Sequence, residues 1–357
     1  MSTETAERTG EEPRDQQAQP CDGQDEQDRK TRFTVLVALG ANLVIALAKA
    51  VGGLFAASPA LLSEAAHSVA DSLNEIFLLA SLRRCKKEPD AEHPFGYGKE
   101  RFFWSLLAAV GIFVMGGCFS FYQGITALTS GGSESHDGYV AGLVVLGVAL
   151  IAEGVSLVRA LHQLHGQARD NGRGMLGQLR AGTDPALRTV LAEDGTAVLG
   201  VSLAIVGMSL HMVTGEVAYE AWASLLISVL LVYVAYRLGK ENRGQLIGEA
   251  ADPKLRQEIH EFLGEQPEID TVTAVLTMRL GMDSTLVAAR VDLIGGLDSE
   301  EVEEVSERIK TGMTSAWPAV DQIFLDITDA SAEDRARARR ERRELDETVE
   351  AVAERTG

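Results

Sequence analysis

Cysteine is scarce in this chain: three residues in 357, at Cys21, Cys85 and Cys118, with no C-x-x-C spacing. That excludes a disulfide framework and a thiolate zinc cage. Positive charge is also short, with 33 Lys and Arg against 52 Asp and Glu and a formal net charge of -19. A phosphate-binding surface needs clustered cations that release counterions, so a nucleic-acid partner is excluded. Neither H-E-x-x-H nor G-x-S-x-G occurs, which removes the common zinc-protease and serine-hydrolase signatures. Residues 1–28 have little apolar content and read as a disordered acidic leader, with neither a signal-peptide core nor an Arg-rich organelle presequence.

What the chain does have is apolar sequence gathered into long blocks. Hydrophobic residues make up 46% of the total, and they concentrate in the middle of the chain. Six runs have the length needed to cross about 30 Å of hydrocarbon as helices. They are Phe33 to Ala57, Ala60 to Leu82, Phe102 to Leu128, Tyr139 to His162, Pro185 to Met212 and Ala218 to Leu238. This excludes an ordinary soluble enzyme. The links alternate in charge. Arg83, Arg84, Lys86, Lys87, Lys99 and Arg101 join the second run to the third, and Arg169, Arg173, Arg180 and Arg188 join the fourth to the fifth. The links near Ser58, Ser133 to Asp137 and Thr214 to Glu220 hold no Lys or Arg. By the positive-inside rule, residues 29–250 form a six-span domain with both termini in the cytoplasm.

After the sixth run the pattern shortens. Asp252-Pro253 is an N-cap with Pro at the first helical position, and Leu255, Ile259, Phe262 and Leu263 give that helix one apolar face. Val272, Ala274, Leu276 and Met278 alternate with their neighbours, as do Thr285, Val287, Ala289, Val291 and Leu293, with Gly281-Met282-Asp283 as a hairpin turn. Asp298 with Glu301 resembles a capping box for a helix that turns Val302, Val305, Ile309 and Met313 inward. A last strand spans Ile323 to Ile327. The order α-β-β-α-β predicts a small cytoplasmic α+β domain over 251–329, beneath an all-α membrane bundle. Residues 330–357 mix Arg and Glu at helical spacing, as in a solvated helix or a frayed tail.

The second run carries the chemistry. Glu64, His67, Asp71, Asn74 and Glu75 interrupt an otherwise apolar helix, and steps of three and four residues place His67, Asp71 and Asn74 on one stripe. An ionisable side chain at mid-helix costs roughly 2.5 to 3.5 kcal/mol to insert, so this stripe must face a partner, water or an ion. An imidazole and a carboxylate about 6 Å apart along the axis can converge on one cation, and zinc accepts such nitrogen and oxygen donors. The remaining donors are expected from Glu193 and Asp194 in the fifth run, with Asp194 aimed at the second. The competing reading is that His67 and Asp71 bond each other and hold helices together.

At these residues the chain resembles the cation diffusion facilitator family, six-span metal/proton antiporters with a cytoplasmic metallochaperone-like domain. The resemblance runs from about Arg32 to Asp329. It rests on Ser63 to Asn74 (Ser-Glu-Ala-Ala-His-Ser-Val-Ala-Asp-Ser-Leu-Asn), His93 to Arg101 (His-Pro-Phe-Gly-Tyr-Gly-Lys-Glu-Arg) and Leu246 to Ala250 (Leu-Ile-Gly-Glu-Ala). The Glu193-Asp194 pair and the residues following the loop most resemble the branch containing zinc transporter nine. The resemblance implies a transport site at His67, Asp71 and Asp194. At the position of the family's fourth ligand stands Val190, so Glu193, Asn74 or a water completes the shell. It also implies an accessory loop site at Asp90 and His93, where Tyr97 replaces a further histidine. No resident cofactor is implied, because Zn²⁺ or a similar divalent ion is the cargo.

The implied protein is a homodimer in the plasma membrane that exports the cation against protons, and it is not an enzyme. Two other classes stay open on sequence alone. One is a membrane-embedded metal-dependent hydrolase with His67, Asp71 and Asp194 as ligands and Glu193 as general base. The other is a non-transporting membrane scaffold.

Overall fold

The computed structural model describes residues 22–85, 87–130, 136–170, 185–281 and 284–356. Most of the acidic leader, the links at 131–135 and 171–184, and the hairpin tip at Met282 and Asp283 lie outside the described residues.

The membrane region comprises α1 (Asp22–Ala56), α2 (Pro59–Arg84), α3 (Glu100–Gly111), a π-helical segment (Ile112–Cys118), α4 (Phe119–Ser130), α5 (His136–Asp170), α6 (Pro185–Thr214) and α7 (Ala218–Ile247). The α3, π and α4 segments together form one span. Helix α1 begins at Asp22, well before the apolar run at Phe33, because Gln24 to Lys30 contains good helix formers and no proline. Among the described residues five helices are long and apolar enough to cross a bilayer. Helix α2 falls outside that set because of its acidic load. Its 26 residues span roughly 39 Å, and it is packed against α1, α3, α4, α6 and α7, so it is the sixth and innermost member of the bundle.

The bundle distributes its residues in the reverse of the soluble sense. Lys49, Glu64, His67 and Glu220 are buried, whereas Val44, Leu54, Phe55, Val148, Ile151 and Val229 are exposed. A belt of that size on the outside is the surface that lipid covers. The interior is knit by Leu61, Leu146, Val201, Ala204, Met208, Ile227 and Leu231. Small residues bring helices close. A Cβ on Gly207 of α6 would stand 2.6 Å from the Cβ of Ala223 on α7. In the π segment, Ser228 of α7 donates to the Gly117 carbonyl at 2.8 Å, serving backbone that has left the α-helical ladder.

Gly248, with φ +96°, ends α7 in the left-handed region. Beyond it lie α8 (Pro253–Gly264), β1 (Ile269–Arg279), β2 (Thr285–Leu293), α9 (Ser299–Ala316), β3 (Val320–Ile327) and α10 (Ala332–Thr356). The sheet order is β1-β2-β3, antiparallel between β1 and β2 and parallel between β2 and β3. Ile259, Leu263, Val287, Val291, Val305, Ile309 and Met313 form its core. Asp252 caps α8, and Asp298 with Glu301 forms a full capping box on α9.

One expectation fails within β1. Strict alternation puts Leu276 on the same face as Val272, but Leu276 is 66% exposed and Val275 is buried instead. A register shift between Val272 and Ala274 turns the strand over, since one extra residue exchanges the two faces. Helix α10 is anchored through Arg335, which reaches Asp270 at 2.5 Å and Asp292 at 2.6 Å.

The loop between α2 and α3 touches this domain. Phe95 meets Phe324 edge to face with centroids 6.4 Å apart. Gly98 lies so near the hairpin that a Cβ there would stand 2.5 Å from the Leu280 carbonyl oxygen.

Candidate ion site within the membrane bundle

Helix α2 starts with Ser58 accepting from Leu61 N and Pro59 at the first position, a start that sets the rotation of the helix. Along it, burial falls in one direction. Glu64, His67 and Ser68 are buried, whereas Asp71, Asn74 and Glu75 are partly exposed. The stripe thus opens toward the end of the bundle that carries the C-terminal domain.

His67 Nδ1 stands 3.6 Å from Asp71 Oδ1, too far for a hydrogen bond. Both ring nitrogens of His67 are buried with no hydrogen-bond partner, and so is Asp194 Oδ2. Unsatisfied buried donors and acceptors are costly, and helix glue would have satisfied them. Asn74 Nδ2 donates to Glu193 Oε1 at 2.9 Å, so the α2 stripe does meet the acidic pair of α6. The direct contact falls to Glu193; Asp194 accepts from Ser156 on α5. Glu75 accepts from Asn42 of α1 at 2.8 Å. Among the described residues no three His, Cys, Asp or Glu side chains converge closely enough to hold an ion in this conformation. The side chain of Val190 lies outside the described residues.

The loop residues Asp90 and His93 are held by their own network. Asp90 Oδ2 accepts from Lys87 at 2.7 Å and Tyr97 OH at 2.8 Å, and Oδ1 accepts from the backbone of His93 at 2.8 Å and Glu92 at 3.1 Å. Lys87 also lies over the Tyr97 ring at 4.2 Å, and His93 stacks on Tyr97 with centroids 4.2 Å apart. The Lys87 ammonium, then the His93 amide and Tyr97 hydroxyl, hold the Asp90 carboxyl well below the usual carboxylate range. Asp90, then the Tyr97 hydroxyl, pushes Lys87 above its ordinary value. In this conformation the Asp90 contacts with Lys87 and Tyr97 shape the loop that meets the C-terminal domain.

Two further polar clusters cross the bundle. Lys49 on α1 bonds Glu64 at 3.1 Å, Ser68 at 2.9 Å and Glu153 of α5 at 3.4 Å. At the opposite end from the C-terminal domain, His211 Nδ1 lies 2.7 Å from Glu220 Oε1 and 3.0 Å from Tyr139 OH, while Ser58 donates to Glu220. Ionisable residues inside apolar runs were the available signal for both clusters. This second group ties the α1–α2 turn, α5, α6 and α7 together at that end.

The fold and these clusters define an integral, multi-pass membrane protein with ionisable groups at its centre. Residues 35–247 match the cation efflux transmembrane domain. The chain is 31% identical over 268 residues to metal tolerance protein C4 of Arabidopsis thaliana, covering 75% of this chain and 58% of that protein. It is 30% identical over 261 residues to the human mitochondrial proton-coupled zinc antiporter SLC30A9, covering 73% and 46%. The manganese efflux system protein MneP of Bacillus subtilis is 22% identical over 306 residues, 85% of this chain and 97% of that protein. The chain spans about half the length of the plant and animal relatives. It belongs to the cation efflux, or cation diffusion facilitator, family, in the branch that contains zinc transporter nine.

Proposed function

We propose that this protein exports a divalent cation, zinc foremost, from the cytoplasm in exchange for protons. The observation that carries the reading is the set of unpartnered buried donors, both His67 nitrogens and Asp194 Oδ2, on neighbouring helices of a lipid-facing bundle. His67, Asp71 and Asp194 are the ligands, and Glu193, Asn74 or a water completes the shell after a small approach of α6 to α2. Ligands must shed protons to bind metal, so ion entry and proton entry oppose each other. The graded burial of α2 supports a site that faces the C-terminal domain in this conformation, with the His211 and Glu220 cluster closing the far side. Alternating access then requires that cluster to part while the inner end closes.

The imidazole favours zinc over manganese, although relatives with either cargo in their names exist. By the positive-inside rule both termini are cytoplasmic. The protein acts in the plasma membrane as a homodimer, with residues 251–329 as the pairing module. Relatives with a transport activity in their names support a transporter over a hydrolase or a scaffold.

The test uses full-length protein in vesicles with an internal zinc dye and an imposed pH gradient. Gradient-dependent zinc flux that disappears in Asp71→Ala and in Asp194→Ala is the expected result. Flux unchanged in both substitutions refutes the site.

A further inference from the structure

Charge balance inside the bundle points to a second centre beside the ion site. Lys49 is fully buried in α1, about two turns before its end, and its ammonium is shared among Glu64 and Ser68 of α2 and Glu153 of α5. One cation thereby ties three helices. Glu64 has no exposed surface, and the Glu153 side chain is 19% exposed. Each carboxylate has one oxygen on the ammonium and a second, Glu64 Oε1 and Glu153 Oε2, that is buried without a hydrogen-bond partner.

One ammonium and two carboxylates sum to a single negative charge when all are ionised. An uncompensated charge in a low-dielectric interior is expensive, and buried groups neutralise before they bear it. A proton on either carboxyl cancels the charge and sits on an oxygen that has nothing else bonded to it. A metal ion does not fit the same role, because the Lys49 ammonium already occupies the space between the two acids.

We propose that the Lys49, Glu64 and Glu153 network holds one exchangeable proton while the ion site is empty and gives it up when a divalent cation binds at His67 and Asp71. This rests on the ion-exchange reading above. Glu64 precedes His67 by three residues, a rise of about 4.5 Å along α2. The groups facing Glu153 are Lys49 of α1 and Glu64, His67 and Asp71 of α2. From α6, Asp194 reaches α5 through Ser156. A doubly charged ion arriving among these groups favours the fully ionised pair. By linkage, a proton in the network weakens ion binding by the same factor. Only an O–H bond breaks. The proton leaves from Glu153, the partner with exposed surface, to water. Lys49 is a positioning residue that keeps the two acids together and limits them to one proton.

Calorimetry on the full-length protein in lipid nanodiscs, titrated with zinc chloride at one pH in two buffers of different ionisation enthalpy, counts the protons released per zinc. Glu64→Gln and Glu153→Gln each leave one carboxylate against one ammonium, neutral without a proton. In both variants the count falls by about one, and the pH dependence of zinc affinity becomes shallower by about one proton. Lys49→Gln acts in the opposite direction: two acids without a cation hold a second proton, and the count rises. A purely structural network would move neither count nor slope. Zinc binding with unchanged counts in all three variants overturns the proposal. If Asp71→Ala binds zinc as wild type does, the ion-site reading has failed. If Asp71→Ala loses zinc while the three network variants match wild type, only the proton network has failed.

Discussion

Gly207→Ala adds one methyl group at a close approach between two membrane helices. The new Cβ would stand 2.6 Å from Ala223 Cβ, 3.2 Å from the Tyr219 carbonyl oxygen and 3.4 Å from Glu220 Cα. Carbon atoms settle at about 3.5–4.0 Å, so α6 and α7 must part by roughly 1 Å. Backbone, not the end of a flexible side chain, supplies two of those contacts. Overpacking of this kind costs about 1–3 kcal/mol, against a helix-propensity gain of about 1 kcal/mol for Ala over Gly. The separation also loads the His211 to Glu220 contact one turn away, which is 2.7 Å long. The net expectation is a loss of up to about 2 kcal/mol.

Gly147→Ala is the internal control, because a Cβ there meets nothing within 4 Å and only the propensity gain applies. Thermal unfolding of both purified variants in the same detergent or nanodisc reads the difference directly. Gly207→Ala should melt below wild type, and Gly147→Ala at or above it. A Gly207→Ala protein that melts with or above the Gly147→Ala protein refutes the claim that α6 and α7 are held this tightly.

Val190→His introduces an imidazole four residues before Asp194 and is expected to tighten zinc binding, measured by calorimetry on purified protein; an unchanged affinity contradicts the proposed ligand helix. Asp298→Ala removes the acceptor that serves the Glu300 and Glu301 amides, and should cost the C-terminal domain about 1 kcal/mol in chemical unfolding. Burial, followed by the neighbouring Arg342, lowers the proton affinity of His260. Because its folded value lies below the unfolded one, the unfolded chain binds more protons in that range. Its contribution to stability is therefore full above about pH 6.5 and is lost as pH falls through the folded value. His260→Gln should flatten that part of the stability profile, read as unfolding midpoints between pH 5 and 8. The Asp90 carboxyl, held low by Lys87, should titrate below an ordinary aspartate when followed by NMR; protonation at the ordinary aspartate value would contradict the loop network.

The spans were readable because a bilayer imposes a length, and six runs met it. Helix α2 was singled out by its cost: Glu64, His67 and Asp71 in one apolar helix demand a partner, and the structure surrounds that helix with others. The caps at Asp252 and Asp298 were equally legible, since capping is a contact between residues two or three apart. The inward face of β1 was not. Alternation predicts it only while the ladder is regular, and the shift between Val272 and Ala274 is set by pairing with β2.

Local sequence thus determined which segments enter the membrane, which of them carries charge, and the α-β-β-α-β order of the terminal domain. Each follows from periodicity, length or a short-range bond. Tertiary structure alone decided who pairs with whom. Glu193 rather than Asp194 meets Asn74 across 119 positions, and Lys49 meets Glu64 across 15. The rotation of each helix about its axis selects such partners. That rotation is set by packing over the whole bundle, where a turn of 100° per residue separates neighbours such as Glu193 and Asp194 onto different faces.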